Sequence, residues 1–310
     1  MSKWTLADIP PQNSRTIIVT GANSGIGYET AAALAAKGAH IIMACRNKEK
    51  AEAAAQKIRS RSQQGKITVM QLDVSSLESI RQFADEFTTR FKELHILINN
   101  AGIMGGPTIG HSKDGFELMF GTNHLGHFAL TGLLFDRLSR TPGARVIPVT
   151  SMAHRNVAGL DLDDPNFKHS EYKIFEAYAR SKLANLTFMY ELNRRLRSTQ
   201  LDMVTAAAHP GYTATNITSG ANPDGNKLQA FAVRLGDILI AMPAKKGALP
   251  TLYAATEPDI MGGEYIGPRG LFQFYGHPKQ VRPKSTALDP DAGARLWQIS
   301  EELTGVSFLS

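Results

Sequence analysis

Thr16-Ile17-Ile18-Val19-Thr20-Gly21-Ala22-Asn23-Ser24-Gly25-Ile26-Gly27 joins a β-rich run to a loop with three glycines, and an alanine-rich helical segment follows to Lys37. Strand, glycine loop and helix in that order bring backbone N–H groups and the positive end of a helix to one point, where a pyrophosphate can sit. Each glycine has its own task. Gly21 permits the turn, Gly25 lets the backbone approach the phosphates, and Gly27 lets the helix pack closely on the strand. Asn23, Ser24 and Ile26 complete the expected cofactor cradle.

The second apolar run, residues 39–44, is continuous, as expected of a parallel strand covered on both faces. It ends in Cys45-Arg46-Asn47. An acidic residue at this place binds the ribose 2′-hydroxyl of NAD, whereas an arginine accommodates the 2′-phosphate of NADP. Arg46, with Asn47 beside it, therefore favours NADP(H), with NAD(H) as the alternative. Further strands are read at 67–72, 95–98, 145–149 and 203–208, and a last one at 262–266, separated by helical patterns that include 48–59, 246–255 and 291–303. Alternating strands and helices predict an α/β doubly wound parallel sheet, and no Pro/Gly/Ser-rich linker divides the chain, so a single domain is expected over residues 1–310. Pro148 lies inside a central strand, where it removes a backbone donor and predicts a local break in the ladder.

Ligands of open α/β sheets bind beyond the carboxyl ends of the strands. Ser151 stands at such an end, where its hydroxyl can hydrogen-bond and polarise a carbonyl. Tyr178 and Lys182 are four residues apart in a segment whose apolar positions, Phe175, Leu183, Leu186 and Met189, have helical spacing. They should share one helix face. An ammonium a few ångströms from a phenol favours the phenolate and lowers its pKa, so the pair can move protons. Tyr275 and Lys279 repeat the spacing, but Gly276 and Pro278 between them forbid a regular helix. His124 and His127 are three apart with no carboxylate nearby, below what a metal site needs, and are read as core or helix-surface residues. Asp161, Asp163 and Asp164 precede Pro165, lack a calcium-loop pattern and are read as a solvated loop.

The 310 residues carry a net charge of +6, but the basic residues are scattered over amphipathic segments, which excludes an obvious nucleic-acid stripe. A single cysteine, Cys45, excludes an internal disulfide and fits a reducing compartment. Arg234 and Asp237 interrupt the most apolar stretch, so no membrane span is expected. With no signal pattern at the start, a cytoplasmic location follows as an expectation.

The Gly-x3-Gly-x-Gly spacing after Thr20, Asn99-Asn100-Ala101-Gly102, Asn123, Ser151, Tyr178 with Lys182, and Pro210-Gly211 followed by Thr213 occur in an order that resembles the short-chain dehydrogenase/reductase family, in its retinol-dehydrogenase-like branch. The resemblance implies a Rossmann fold and hydride transfer between a nicotinamide dinucleotide and a small-molecule carbonyl or alcohol. Asp73 and Val74 would contact the adenine. Asn100, Ala101 and Gly102 would lie against the cofactor, and Pro210, Gly211 and Thr213 beside the carboxamide. Tyr178 would be the acid/base, Lys182 would hold the ribose, Ser151 would orient the carbonyl, and Asn123 would interrupt helix bonding to hold a relay water. About residues 214–245 would form a substrate lid, its apolar residues consistent with a retinoid-, steroid- or aldehyde-like substrate. A light-dependent tetrapyrrole double-bond reductase, or a dinucleotide sensor without turnover, would share the fold. Oligomeric state is open, a homo-oligomer among the alternatives.

Overall fold

The structure, a computed structural model, describes residues 3–212 and 242–309. Strands β1 (Thr16–Thr20), β2 (His40–Cys45), β3 (Lys66–Gln71), β4 (Ile96–Asn99), β5 (Ala144–Pro148) and β6 (Met203–Thr205) form a parallel sheet in the order β3-β2-β1-β4-β5-β6. The chain runs outward from β1 to β3 and then returns to place β4 on the other side of β1. That reversal opens a crevice at the carboxyl ends of β1 and β4. The ends of β2, β3, β4 and β5 differ from the sequence reading by one residue.

Helices α1 (Gly25–Ala35), α2 (Lys48–Arg61), α3 (Leu77–Arg90), α4 (Gly126–Leu133), α5 (Phe135–Ser139), α6 (Ile174–Arg197), α7 (Ala244–Gly247), α8 (Leu249–Thr256) and α9 (Pro290–Thr304) surround the strands. The pleat sends Ile17 and Val19 to one face and Ile18 to the other. Ile17, Val19, Ile41 and Met43 pack with Leu34 of α1, Ala55 of α2 and Leu252 of α8. Ile18, Ile42 and Leu97 pack with Phe83 of α3, Phe128 of α4, Leu192 of α6 and Trp297 of α9. Both faces are covered, which is why these strands read as continuous apolar runs. Phe175 breaks the pattern of its helix: it is 66% exposed and belongs to no core cluster.

Pro148 divides the sheet. Pairing of β5 with β6 ends at Val146 and Thr205, where the Ala206 amide donates to the Val146 carbonyl at 3.3 Å. The next bond on that side of a parallel ladder would be donated by residue 148, and proline has no N–H. Pairing resumes only at Val149 and Ala208, with the Thr150 amide donating to the Ala208 carbonyl at 2.8 Å. The expected strand 203–208 is therefore two strands, β6 and β7 (Ala207–Ala208). A second sheet continues from β7 through parallel β8 (Tyr265–Pro268) to antiparallel β9 (Pro278–Gln280). The strand read at 262–266 begins later because Gly262 and Gly263 hold φ of 102° and 91°, a turn rather than an extended backbone. Tyr275 and Lys279 fall on a turn and on β9, not on a helix.

Residues 120–125 form a π-helical turn, Phe120–Leu125, that runs into α4. Gly126 closes it against the adjacent loop: a Cβ there would lie 2.0 Å from the Val74 carbonyl oxygen. Among the described residues no helix is long and apolar enough to cross a membrane, and no group of His, Cys, Asp or Glu could hold a metal. Gly126→Ala should force the Val74 loop away from the π turn at a cost of about 1–3 kcal/mol. Denaturant unfolding measures this as a lower midpoint at unchanged m-value.

Candidate active site

The carboxyl edge of the sheet is held together by side chains reaching past the strand ends. Thr20, the last residue of β1, accepts the amides of Asn100 at 2.9 Å and Ala101 at 2.8 Å on its hydroxyl, and its carbonyl accepts Asn100 Nδ2 at 2.8 Å. The loop after β1 thereby lies against the turn after β4. Gly21 and Gly25 have φ of 67° and 56°, the left-handed region that glycine adopts without strain. A Cβ on Gly27 would meet Asn100 Nδ2 and the Gly21 carbonyl, each at 2.5 Å. Ser24 is the N-cap of α1 but makes no side-chain cap bond, which leaves the first helical amides for oxygens of another group. The predicted residues Gly21, Asn23, Ser24, Gly25, Ile26 and Gly27 thus form a cradle whose donors suit a pyrophosphate.

Arg46, exposed, and Asn47 follow β2 at the same edge. Asn47 caps α2 by accepting the Lys50 amide at 2.7 Å. A groove of about 530 Å³ between α1 and α2 begins at Asn23, Ser24 and Gly25 and continues along Tyr28, Lys50, Lys57 and Arg61. Lys50 was not singled out from sequence; its position one turn into α2 after Arg46 was the available signal. Asp73 Oδ1 accepts the Ser75 amide at 3.1 Å and its hydroxyl at 2.6 Å, and Lys113 lies 3.2 Å from Oδ2. Burial opposes its ionisation, but these bonds hold the carboxyl below its ordinary range. Val74 is buried with its carbonyl against Gly126, so both residues lie just beyond the carboxyl end of β3, with Asp73 engaged in shaping the loop.

Asn123 is fully buried in the π turn. Its Oδ1 accepts the Ile103 amide at 2.8 Å, and its Nδ2 donates to the Ile103 carbonyl at 3.0 Å and to Ser181 Oγ at 2.9 Å. The expected irregular helix is present, and the Asn123 side chain clamps the segment after Gly102 to the residue before Lys182. A Cβ on Gly102 would lie 3.0 Å from Lys182 Nζ, so that ammonium sits directly against the backbone beyond β4.

Tyr178 and Lys182 share α6, Lys182 almost wholly buried and Tyr178 half-buried. Lys182 Nζ donates to the Val149 carbonyl at 3.3 Å, and the Lys182 carbonyl accepts the Thr150 hydroxyl at 2.7 Å. Burial pushes the ammonium pKa down to about 8. The Ser151 side chain faces the Tyr178 phenol closely enough to favour its ionised form. Here the expectation drawn from helix spacing needs correction: burial raises the phenol pKa, the Ser151 side chain offsets it in part, and Lys182 does not lower it. The ammonium stands 5.8 Å from the ring centroid, turned to Val149. Ser151 caps a 3₁₀ turn, Met152–Asn156, by accepting the Ala153 amide at 3.2 Å. His154, which no sequence motif flagged, fixes the Ser151 carbonyl through Nδ1 at 2.7 Å.

Ile174, one turn before Tyr178, and Tyr172 pack beside Tyr178 and also line a cleft of about 770 Å³ with Pro107, Val157, Phe175 and Arg180. The exposed Phe175 ring has its place here. Arg180 stays paired with Glu176 and Asp161, and Asp164 accepts the amides of Lys168, His169 and Ser170. The acidic stretch is therefore a structured turn, not merely a solvated loop. Of the two places expected for His124 and His127, core or helix surface, the structure puts both in the core, and burial pushes their pKa values down to about 3 and about 4. Gly211 has φ 74° and donates its amide to His209 Nδ1 at 3.2 Å, placing the Pro210-Gly211 turn beyond β7. Thr213 and most of the expected lid, residues 214–241, lie outside the described residues.

A family model described as short chain dehydrogenase matches residues 15–162. Retinol dehydrogenase 13 of Homo sapiens is 40% identical over 297 residues, covering 94% of this chain and 85% of the relative. Polyprenol dehydrogenase of Homo sapiens is 38% identical over 308 residues, covering 96% and 87%. Among solved structures, an uncharacterized protein from Mycobacterium paratuberculosis superposes with a TM-score of 0.81 at 41% identity, over 99% of both chains. RhlG of Pseudomonas aeruginosa, solved with NADP, shares the fold at TM-score 0.62 and 23% identity, over 82% of this chain and 94% of that one.

An anionic ligand at the cradle would favour the Lys182 ammonium and raise its pKa from about 8. Dinucleotide binding a little above that pH should therefore take up protons, approaching about one per site. Calorimetry in buffers of different ionisation enthalpy measures the uptake, which Lys182→Met should abolish.

Proposed function

This chain belongs to the short-chain dehydrogenase family, and we propose that it transfers a hydride between NADP(H) and the carbonyl or alcohol group of an apolar small molecule, retinoid-, steroid- or aldehyde-like. As a family member it is an oxidoreductase of alcohol and carbonyl groups. The observation that carries the finer reading is the placing of Ser151 beside the Tyr178 phenol at the sheet edge, with Lys182 one helical turn away and the glycine cradle across the crevice.

When bound, the nicotinamide supplies or accepts the hydride. The chain does the rest. Ser151 and Tyr178 together can hydrogen-bond one carbonyl oxygen, which polarises it and fixes its distance from the phenol. In reduction Tyr178 gives its proton to that oxygen; in oxidation it takes the proton back. Burial keeps the phenol protonated, the state that reduction requires. Lys182 would hold the nicotinamide ribose with the N–H groups left after its bond to Val149. The cleft beside Tyr172, Ile174 and Phe175 supports an apolar substrate body.

Arg46 supports NADP over NAD, and Lys50 at the head of the α1–α2 groove adds a second cation for a 2′-phosphate. The resemblance of relatives named retinol and polyprenol dehydrogenases supports long apolar alcohols and aldehydes as the first panel to assay.

Tyr178→Phe should lower kcat by about 10²- to 10⁴-fold while NADPH still binds, followed by turnover and by fluorescence titration of the same preparation. Near-normal turnover would remove Tyr178 from the chemistry. Arg46→Ala combined with Lys50→Ala should reduce the NADPH-over-NADH ratio of kcat/KM by about 10- to 100-fold. An unchanged ratio would place cofactor choice elsewhere.

A further inference from the structure

His127 makes two hydrogen bonds deep in the sheet edge, and the occupancy of its partners fixes its tautomer. Nε2 lies 3.0 Å from Thr20 Oγ1, and Nδ1 lies 3.0 Å from the Asn123 carbonyl oxygen. The Thr20 hydroxyl already accepts two N–H groups, those of Asn100 and Ala101. A hydroxyl oxygen has two lone pairs and one hydrogen. With both lone pairs taken, only its hydrogen remains, and of its two acceptors Nε2 at 3.0 Å is nearer than the Ile98 carbonyl at 3.4 Å, so Nε2 accepts it. The ring proton is then on Nδ1 and points at the Asn123 carbonyl, which is an acceptor only. Burial pushes the imidazole pKa down to about 4, with the nearby Lys182 charge adding to it, so the ring is neutral near pH 7.

We propose that His127 is a positioning residue: accepting from Thr20 at Nε2 and donating from Nδ1 to Asn123, it sets the π turn relative to the glycine loop. Its bond to the Asn123 carbonyl orients that peptide. The Asn123 amide then holds Ile103 on one side and Ser181, next to Lys182, on the other. One imidazole thus connects the end of β1, where the dinucleotide cradle begins, to the helix that carries Tyr178 and Lys182. The ring does not exchange protons with substrate; it works through Asn123 and Thr20.

The two bonds can be separated. In His127→Asn the side-chain amide nitrogen takes the place of Nδ1 and keeps the donor to Asn123, but nothing reaches Thr20. In His127→Gln the longer amide reaches the place of Nε2 and can accept from Thr20, but the donor to Asn123 is lost. His127→Gln should lose kcat by about 10-fold with NADPH affinity nearly unchanged, whereas His127→Asn should weaken NADPH binding and largely keep kcat. A purely packing role predicts matched losses of melting temperature with no such crossing, and that result would overturn the proposal. The inference rests on the dinucleotide reading given above, so a second arm avoids turnover altogether. NMR of isotope-labelled histidine, with the His127 signal assigned by its disappearance in His127→Asn, should show an Nδ1–H ring that does not titrate near neutral pH. An Nε2–H ring would overturn the assignment even in an active enzyme. Failure to bind NADPH with the Nδ1–H ring intact would instead reject the dinucleotide reading.

Discussion

The hydroxyl of Thr20 closes the open edge of the sheet. A parallel strand that ends leaves backbone groups with nowhere to go, and a buried N–H without a partner is costly. Thr20 takes up the amides of Asn100 and Ala101, gives its hydrogen to His127, and so fixes the glycine loop, the Asn-Asn-Ala-Gly turn and the π turn at mutually defined positions. The crevice between β1 and β4 exists because the strand order reverses there. Its shape exists because short polar side chains finish the ladder in place of further strand.

A second set of such bonds lies at the end of β5. Pro148 stops the ladder toward β6, and two residues later the chain is held by Thr150 to the Lys182 carbonyl and by Lys182 Nζ to the Val149 carbonyl. The interruption thus falls immediately before the residues that meet Tyr178. Burying Lys182 there is expensive for its charge, as its lowered pKa records. An anionic ligand at the cradle would offset that expense, so its binding would be linked to the protonation state of Lys182.

Much of this was legible in residue order. The strand–glycine–helix unit, Arg46 at the end of β2 and the exclusion of Tyr275 with Lys279 follow from local pattern and steric rules. So did the place where the sheet breaks, because a proline lacks a donor wherever it stands. The exposed Phe175 and the short strand β9 were not legible. Helical spacing marks a face without saying what covers it, and a three-residue strand beginning at proline carries almost no periodic signal.

Sequence by itself determined the fold class, the order of the site elements and the membership of the pair Tyr178 and Lys182, since each depends on spacings of a few residues. Tertiary structure alone decided their electrostatics. Spacing on a helix predicted that Lys182 would lower the phenol pKa, yet Lys182 is drawn to Val149, from residue 149, and burial dominates both groups. The tautomer of His127 likewise depends on which lone pairs of Thr20 are filled by residues 100 and 101. Desolvation and hydrogen-bond occupancy are set by neighbours that are distant in the chain, and no local pattern carries them.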